Sequence, residues 1–184
     1  AIMAGWLGKV PLASYQVMVT VGTLGFCIYY SLGSSVSVLV SNAAGLKDNR
    51  LIRQISFAGY HIMLTLAGIS SVVFICFGEY LIKAFTGDQA VIATSMSLIV
   101  PLVLYQFCDA TQINFANALR GTSNVMPMLW IAFVSYVIVG LPATYLLGFP
   151  CQLGIYGIYL SFSVSLSVAA TLFLYFFMRT TRHQ

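Results

Sequence analysis

The sequence predicts an all-α fold: a polytopic membrane helix bundle with five complete transmembrane helices plus the tail of a sixth. Two observations predict it, the scarcity of charge and the spacing of the charge that remains. Of 184 residues, 60% are hydrophobic and 7% are charged, whereas a soluble domain carries about 25% charged residues. So few polar groups could not cover a soluble surface, and the mean hydropathy of +0.94 agrees. No Asp, Glu, Lys or Arg lies between Lys9 and Lys47, or between Gln54 and Gly78. A third gap, from Gln89 to Arg120, is broken only by Asp109, and a fourth runs from Gly121 to Met178, long enough for two passes. A helix needs about 20 apolar residues to cross the hydrocarbon core.

These gaps place helices at roughly 12–44, 52–77, 90–119, 126–148 and 154–178. The first is too long for one upright crossing and too short for two, so it is expected to tilt or to project beyond the core. Residues 1–8 read as the tail of a further helix. The chain starts at Ala1 rather than Met, which suggests an excerpt or a truncated product. The segment "GFPCQLG" (148–154) carries Gly and Pro punctuation and separates the last two spans.

Basic residues set the orientation. Lys47, Arg50, Arg53, Arg120, Arg179 and Arg182 fall on one side if the helices alternate; Lys9 and Lys83 fall on the other, with Glu79 and Asp88. An excess of Lys and Arg marks the cytoplasmic side, so the loop "GLKDNRLIRQ" and the C-terminus are expected there. These loops account for the net charge of +4, and no nucleic-acid partner is implied. Cys27, Cys76, Cys108 and Cys151 are far apart, without CxxC or zinc spacing, and read as small packing residues.

Asp109 is the candidate site. Arg120 marks the end of its helix 11 residues later, which puts Asp109 about 16 Å inside a core about 30 Å thick. A carboxylate at that depth is costly unless it faces a wet or polar cavity, so it should face the bundle interior. Tyr105, Gln106, Gln112, Ala116 and Arg120 lie within about 60° of it on the helical wheel. Asn117 lies at the margin of this stripe and Asn114 points elsewhere. One carboxylate flanked by amide and hydroxyl oxygens suits a hard cation such as sodium. A desolvated carboxyl takes a proton as readily, so a proton is an equally good guest. A structural carboxyl bonded to neighbouring helices is the plainer alternative.

Other features carry less chemistry. Gly33, Ser37 and Ser41 form a small-residue face suited to close helix packing. Pro101 and Pro142, inside spans, are expected to kink them, the alternative being to open backbone carbonyls onto a cavity. His61 reads as a hydrogen-bonded packing residue. An enzyme is not expected: Asp109 has no second intramembrane acid for two-carboxylate chemistry, and no Ser/His elbow or phosphate-binding glycine loop appears.

Several blocks resemble multidrug and toxic compound extrusion (MATE) transporters. Residues 7–54 resemble the family's helix seven to helix eight region. They carry Ala13, Ser14, Tyr15 and Gln16, then Val40, Asn42 and Gly45 of a Val-x-Asn-x-x-Gly motif before a charged loop. "YQFCDATQINFANALRGTSNVMP" resembles helix ten of the sodium-coupled, NorM-like branch, and "VIVGLPATYLLGF" and "GIYGIYLSFSVS" resemble helices eleven and twelve. The resemblance implies that residues 1–184 form the C-terminal six-helix lobe, missing most of its first helix. It implies cation-coupled antiport, by sodium or proton, exporting organic cations, drugs or toxic compounds across the inner (cytoplasmic) membrane. Asp109 would match the family's cation-binding aspartate and hold the sodium ion if sodium couples; Tyr105 would match an aromatic beside it. No cofactor beyond the coupling ion is implied. The implied partners are the lipid bilayer, the N-terminal lobe and a small organic cation or drug.

The chain departs from the family in three places. The partner glutamate of helix seven would lie before Ala1, the N-terminal lobe is absent, and Ser41 stands where Gly is common. The chain is therefore expected to be half of a transporter; a closed homodimer is the other way to assemble two lobes. The rival readings are a lipid-linked precursor or polysaccharide flippase of the same superfamily, and a non-transporting assembly subunit.

Overall fold

The computed structural model describes residues 2–123, 125–150 and 153–181, and among these no strand occurs. The helices are α1 (Ile2–Trp6), α2 (Lys9–Gly45), α3 (Asn49–Lys83), α4 (Gln89–Ser97), α5 (Ile99–Gly121), α6 (Met126–Ala132), α7 (Leu141–Gly148) and α8 (Gly154–Thr180). A π-helical segment, Phe133–Gly140, joins α6 to α7. Among the described residues four helical stretches are long and apolar enough to cross a membrane, or five if the bent pair α4–α5 counts as one span.

The charge gaps located the spans but cut them short. α2 and α3 run to 37 and 35 residues, because helical hydrogen bonding does not stop where polarity begins. The first turn of α3 is capped by Asp48, which accepts from the Leu51 amide at 2.9 Å. Its last turn carries a Glu79–Lys83 ion pair at 2.6 Å. At 1.5 Å per residue α2 is about 55 Å long, well beyond a hydrocarbon core of about 30 Å. Residues 2–6 are helical as read, but Gly8, at φ +119°, separates them from α2.

The two prolines act differently. The span expected at 90–119 is bent by 48° between α4 and α5. Pro101 has no amide for the Ser97 carbonyl, so the ladder fails just before α5. The 126–148 span has the expected ends, but Pro142 follows a stretch of π-helix rather than a plain kink.

α5 is the central helix. It packs against α2, α3 and α8, and small residues set the approach. A Cβ on Gly33 would stand 2.6 Å from Asn117 Nδ2, and one on Gly121 would stand 2.7 Å from the Ser37 carbonyl oxygen. Two members of the predicted small-residue face therefore lie at the α2–α5 contact. Paired positions run in register along α2 and α5 (Gly22 with Leu102, Gly33 with Asn117) and in opposite order along α3 and α5 (Gly59 with Asn114, Gly78 with Ile99). α2 and α5 are thus parallel and α3 antiparallel to both, as the alternation of basic loops requires. At the basic end, Arg53 Nε donates to Thr181 Oγ1 at 3.0 Å, tying the start of α3 to the end of α8. Arg182 and Cys151 lie outside the described residues.

Three minor readings change. His61 is exposed, its ring 6.0 Å from that of Tyr60, rather than packed inside. Cys27 and Cys76 are exposed as well. Cys108 is half-buried, its Sγ sharing a 3.0 Å hydrogen bond with Ser167 Oγ. An apolar residue or a cysteine can face lipid at little cost, so hydrophobicity alone does not put it in the core.

Candidate functional site: a polar layer around Asp109

Two apolar clusters fill the bundle. One, toward the basic end, contains Tyr29, Val40, Phe115, Leu119, Phe173 and Phe177. The other contains Met18, Val21, Ile99, Leu102, Ile158 and Tyr159. On α5 the first cluster begins at Ala110 and the second ends at Leu102. The buried positions between them are Gln106 and Asp109. The polar layer thus lies at mid-bundle, as the count from Arg120 implied.

Asp109 is 6% exposed and faces the interior, and its Oδ2 has no hydrogen-bond partner. The Tyr105 phenol, one turn earlier, lies against the carboxyl group. Tyr29 and Tyr136 are close enough to feel its charge. Tyr29 shares a 2.7 Å hydrogen bond with Ser70 Oγ. Gln112 Nε2 donates to Tyr136 Oη at 2.6 Å, and Gln112 Oε1 is buried without a partner. Asp109 and Gln112 therefore present two unpartnered acceptors on one face of α5, three residues apart. Unpaired buried acceptors cost about 1–3 kcal/mol each; a cation or water could satisfy either, and a proton the carboxyl alone.

The expected stripe divides. Gln106 and Gln112 sit about 60° to either side of Asp109 on the wheel, and the neighbouring helices pull them apart. Gln106 is fully buried and turned toward α2 and α3: Ser71 Oγ donates to its Oε1 at 3.3 Å, and a Cβ on Gly25 would lie 2.7 Å from its Nε2. Gln112 turns toward the π-helical segment. Ala116 is half-buried, and Arg120 is exposed at the helix end, far along the axis from Asp109. Asp109 has Tyr105 against it and Gln112 one turn further along α5, while Gln106 braces neighbouring helices. Gln106→Met should leave any ion affinity at Asp109 within about twofold, because it removes an unpaired donor at similar volume. Gln112→Met should lower that affinity about tenfold. Isothermal titration of the two variants separates these roles.

Two hollows border residues of this layer. One of about 180 Å³ is lined by Tyr15, Gly22, Phe26, Tyr105, Tyr159 and Phe162. Another of about 500 Å³ is lined by residues including Trp6, Tyr136, Gly140, Thr144, Phe162 and Ser165. Tyr105 borders the first and Tyr136 the second. Among the described residues no three of His, Cys, Asp or Glu gather as a metal cluster; the oxygen donors here surround a single negative charge.

Sequence reasoning missed several buried hydroxyls elsewhere in the bundle. Ser71, Ser135, Ser161, Ser163 and Ser165 are all buried. Ser161 shares a 2.7 Å hydrogen bond with Thr144, and Ser163 donates to the Pro101 carbonyl at 3.4 Å. The alternating serines of "SFSVSLS" (161–167), in mid-span, were a signal available for this. Tyr29 and Tyr136 carried none, since tyrosines are common throughout the chain.

A family model described as MatE matches residues 1–146. Multidrug resistance protein NorM of Aliivibrio fischeri is 32% identical over 176 residues, covering 94% of this chain and 38% of the relative. The probable multidrug resistance protein NorM of Chromobacterium violaceum is 32% identical over 187 residues, covering 99% of this chain and 40% of the relative. The chain thus spans about two fifths of the length of these relatives. Among solved structures, the inward-facing conformation of a multidrug resistance MATE family transporter of the MOP superfamily aligns with a TM-score of 0.87 at 14% identity, over 98% of this chain and 41% of that one. The crystal structure of MATE in complex with MaL6 aligns with a TM-score of 0.89 at 14% identity, over 99% and 41%. These two share the fold.

Proposed function

Because the chain belongs to the MatE family, whose members are transporters rather than enzymes, we propose that it is the C-terminal lobe of a cation-coupled antiporter. On this reading the bent pair α4–α5 is one span, giving five, and α1 is the tail of a sixth. The lobe lies in the cytoplasmic (inner) membrane with its basic end and C-terminus in the cytoplasm, and it works against an N-terminal lobe. The transporter exports organic cations, drugs or toxic compounds in exchange for sodium or protons.

One observation carries the reading: Asp109 Oδ2 and Gln112 Oε1 are buried acceptors without partners, in a polar layer between two apolar clusters. A sodium ion fits the donor set of carboxylate, amide and phenol oxygens; a proton fits the carboxyl alone. Either guest cancels the buried charge. A guest can shift the balance between two lobe conformations only if it binds them unequally, and a charge that is costly in one packing and solvated in another provides that inequality. The naming of the NorM relatives as multidrug resistance proteins supports the substrate class.

The test uses the full-length protein that carries this chain, reconstituted in liposomes with a fluorescent organic cation. An imposed sodium or proton gradient should drive the dye uphill. Dye movement that ignores both gradients would exclude coupled antiport, and no movement at all would favour an assembly subunit.

A further inference from the structure

The 126–148 span contains an eight-residue π-helical segment that nothing in its apolar sequence announced. The Leu141 amide donates to the Tyr136 carbonyl, five residues back, and the next residue, Pro142, has no amide to give. A π turn holds one residue more than the α turn it replaces. The helix on one side of it is therefore rotated by about 100° relative to an uninterrupted α-helix.

The far side of the segment is fixed. α7 is held on α8 by the Thr144–Ser161 hydrogen bond and by the close approach of Gly148 to Ile158. Gly140 packs directly on α8: a Cβ there would stand 2.9 Å from Ser165 Oγ and 3.2 Å from the Ser135 carbonyl oxygen. With α7 anchored, the π register decides which way Tyr136 points. In this structure it points to α5, where its hydroxyl accepts from Gln112 Nε2 at 2.6 Å, one turn along α5 from Asp109. The same ring borders the 500 Å³ hollow.

We propose that Tyr136 is a positioning residue of the ion site, and that the π-helical segment is the device that presents it to Gln112. This rests on the reading of Asp109 as the ion site and adds the element that completes it. By holding the Gln112 amide nitrogen, Tyr136 turns Gln112 Oε1 toward an incoming cation. A relaxation of the segment to α-helix would withdraw the phenol and release the amide.

The test is binding by the purified full-length protein in lipid nanodiscs, following radioactive sodium ion and proton uptake in the same preparation. Tyr136→Phe removes the hydroxyl and keeps the ring. Pro142→Ala returns an amide donor and lets the turn close as α-helix. Each should weaken binding of whichever ion the wild type takes up, by about fivefold, the worth of one hydrogen bond. The double variant should be no weaker than either single one, since both act through one contact. Asp109→Asn should abolish uptake. Wild-type affinity in a folded Tyr136→Phe protein, with Asp109→Asn still inactive, would overturn the role of Tyr136 and leave the ion site standing. Weakening in Tyr136→Phe alone, with Pro142→Ala like wild type, would overturn the π-helical device. A wild type that takes up neither ion would overturn both the site and this inference.

Discussion

Asp109→Asn in the full-length protein should reduce gradient-driven efflux of an organic cation to the level of protein-free liposomes, with the fold intact. Asn has nearly the shape of Asp, so packing against Tyr105 and the neighbouring helices is preserved. What it loses is the capacity to change charge. The buried carboxyl has one oxygen without a partner, and a neutral amide is the cheaper occupant of such a place. Thermal unfolding in detergent should therefore occur at the same temperature as wild type or higher. Lost transport with retained stability separates a functional carboxyl from a structural one. A structural carboxyl would show the reverse: lowered stability and transport in proportion to the protein that folds.

Gly157→Ala should have the largest effect on folding. A Cβ on Gly157 would collide with the Leu147 carbonyl group and come within 2.8 Å of Leu153 Cβ. The obstacle is backbone, which cannot rotate aside, so α7 and α8 must part. Parting them also loosens the Thr144–Ser161 hydrogen bond and the contact of Gly140 with Ser165. We expect a loss of about 3 kcal/mol, the upper range for overpacking, read as a fall in unfolding temperature. Gly154→Ala is the control. It has open space around it but a φ of +54°, so it should cost only about 1 kcal/mol. Membrane insertion should survive both changes, since neither alters the apolar length of the span.

The comparison of these two glycines shows what the sequence could and could not say. Spans were legible because membrane insertion depends on composition: the charge gaps located each stretch, and 126–148 even had its ends correct. The interior of that stretch was not legible. A π turn depends on how Pro142, Gly140 and Ser165 meet across two helices, and no one-dimensional pattern encodes the meeting. Asp109 stood out because an acid in an apolar run is rare, and the wheel turned it inward, as the structure shows. The wheel also grouped Gln106 with Gln112, since both lie near it on α5. Only the neighbours, Ser71 and Gly25 on one side and Tyr136 on the other, decide which way each of them turns. Tyr136 itself comes from a different span and could not be read from the periodicity of α5.

On the proposed reading the Asp109 carboxyl takes up a sodium ion or a proton inside the bundle. Infrared difference spectroscopy of the full-length protein in membranes tests it most directly. Adding sodium ion, or removing protons at constant sodium, should alter a carboxyl stretching band, and this band should be missing from the Asp109→Asn protein. A carboxyl band that persists unchanged through both titrations would contradict it.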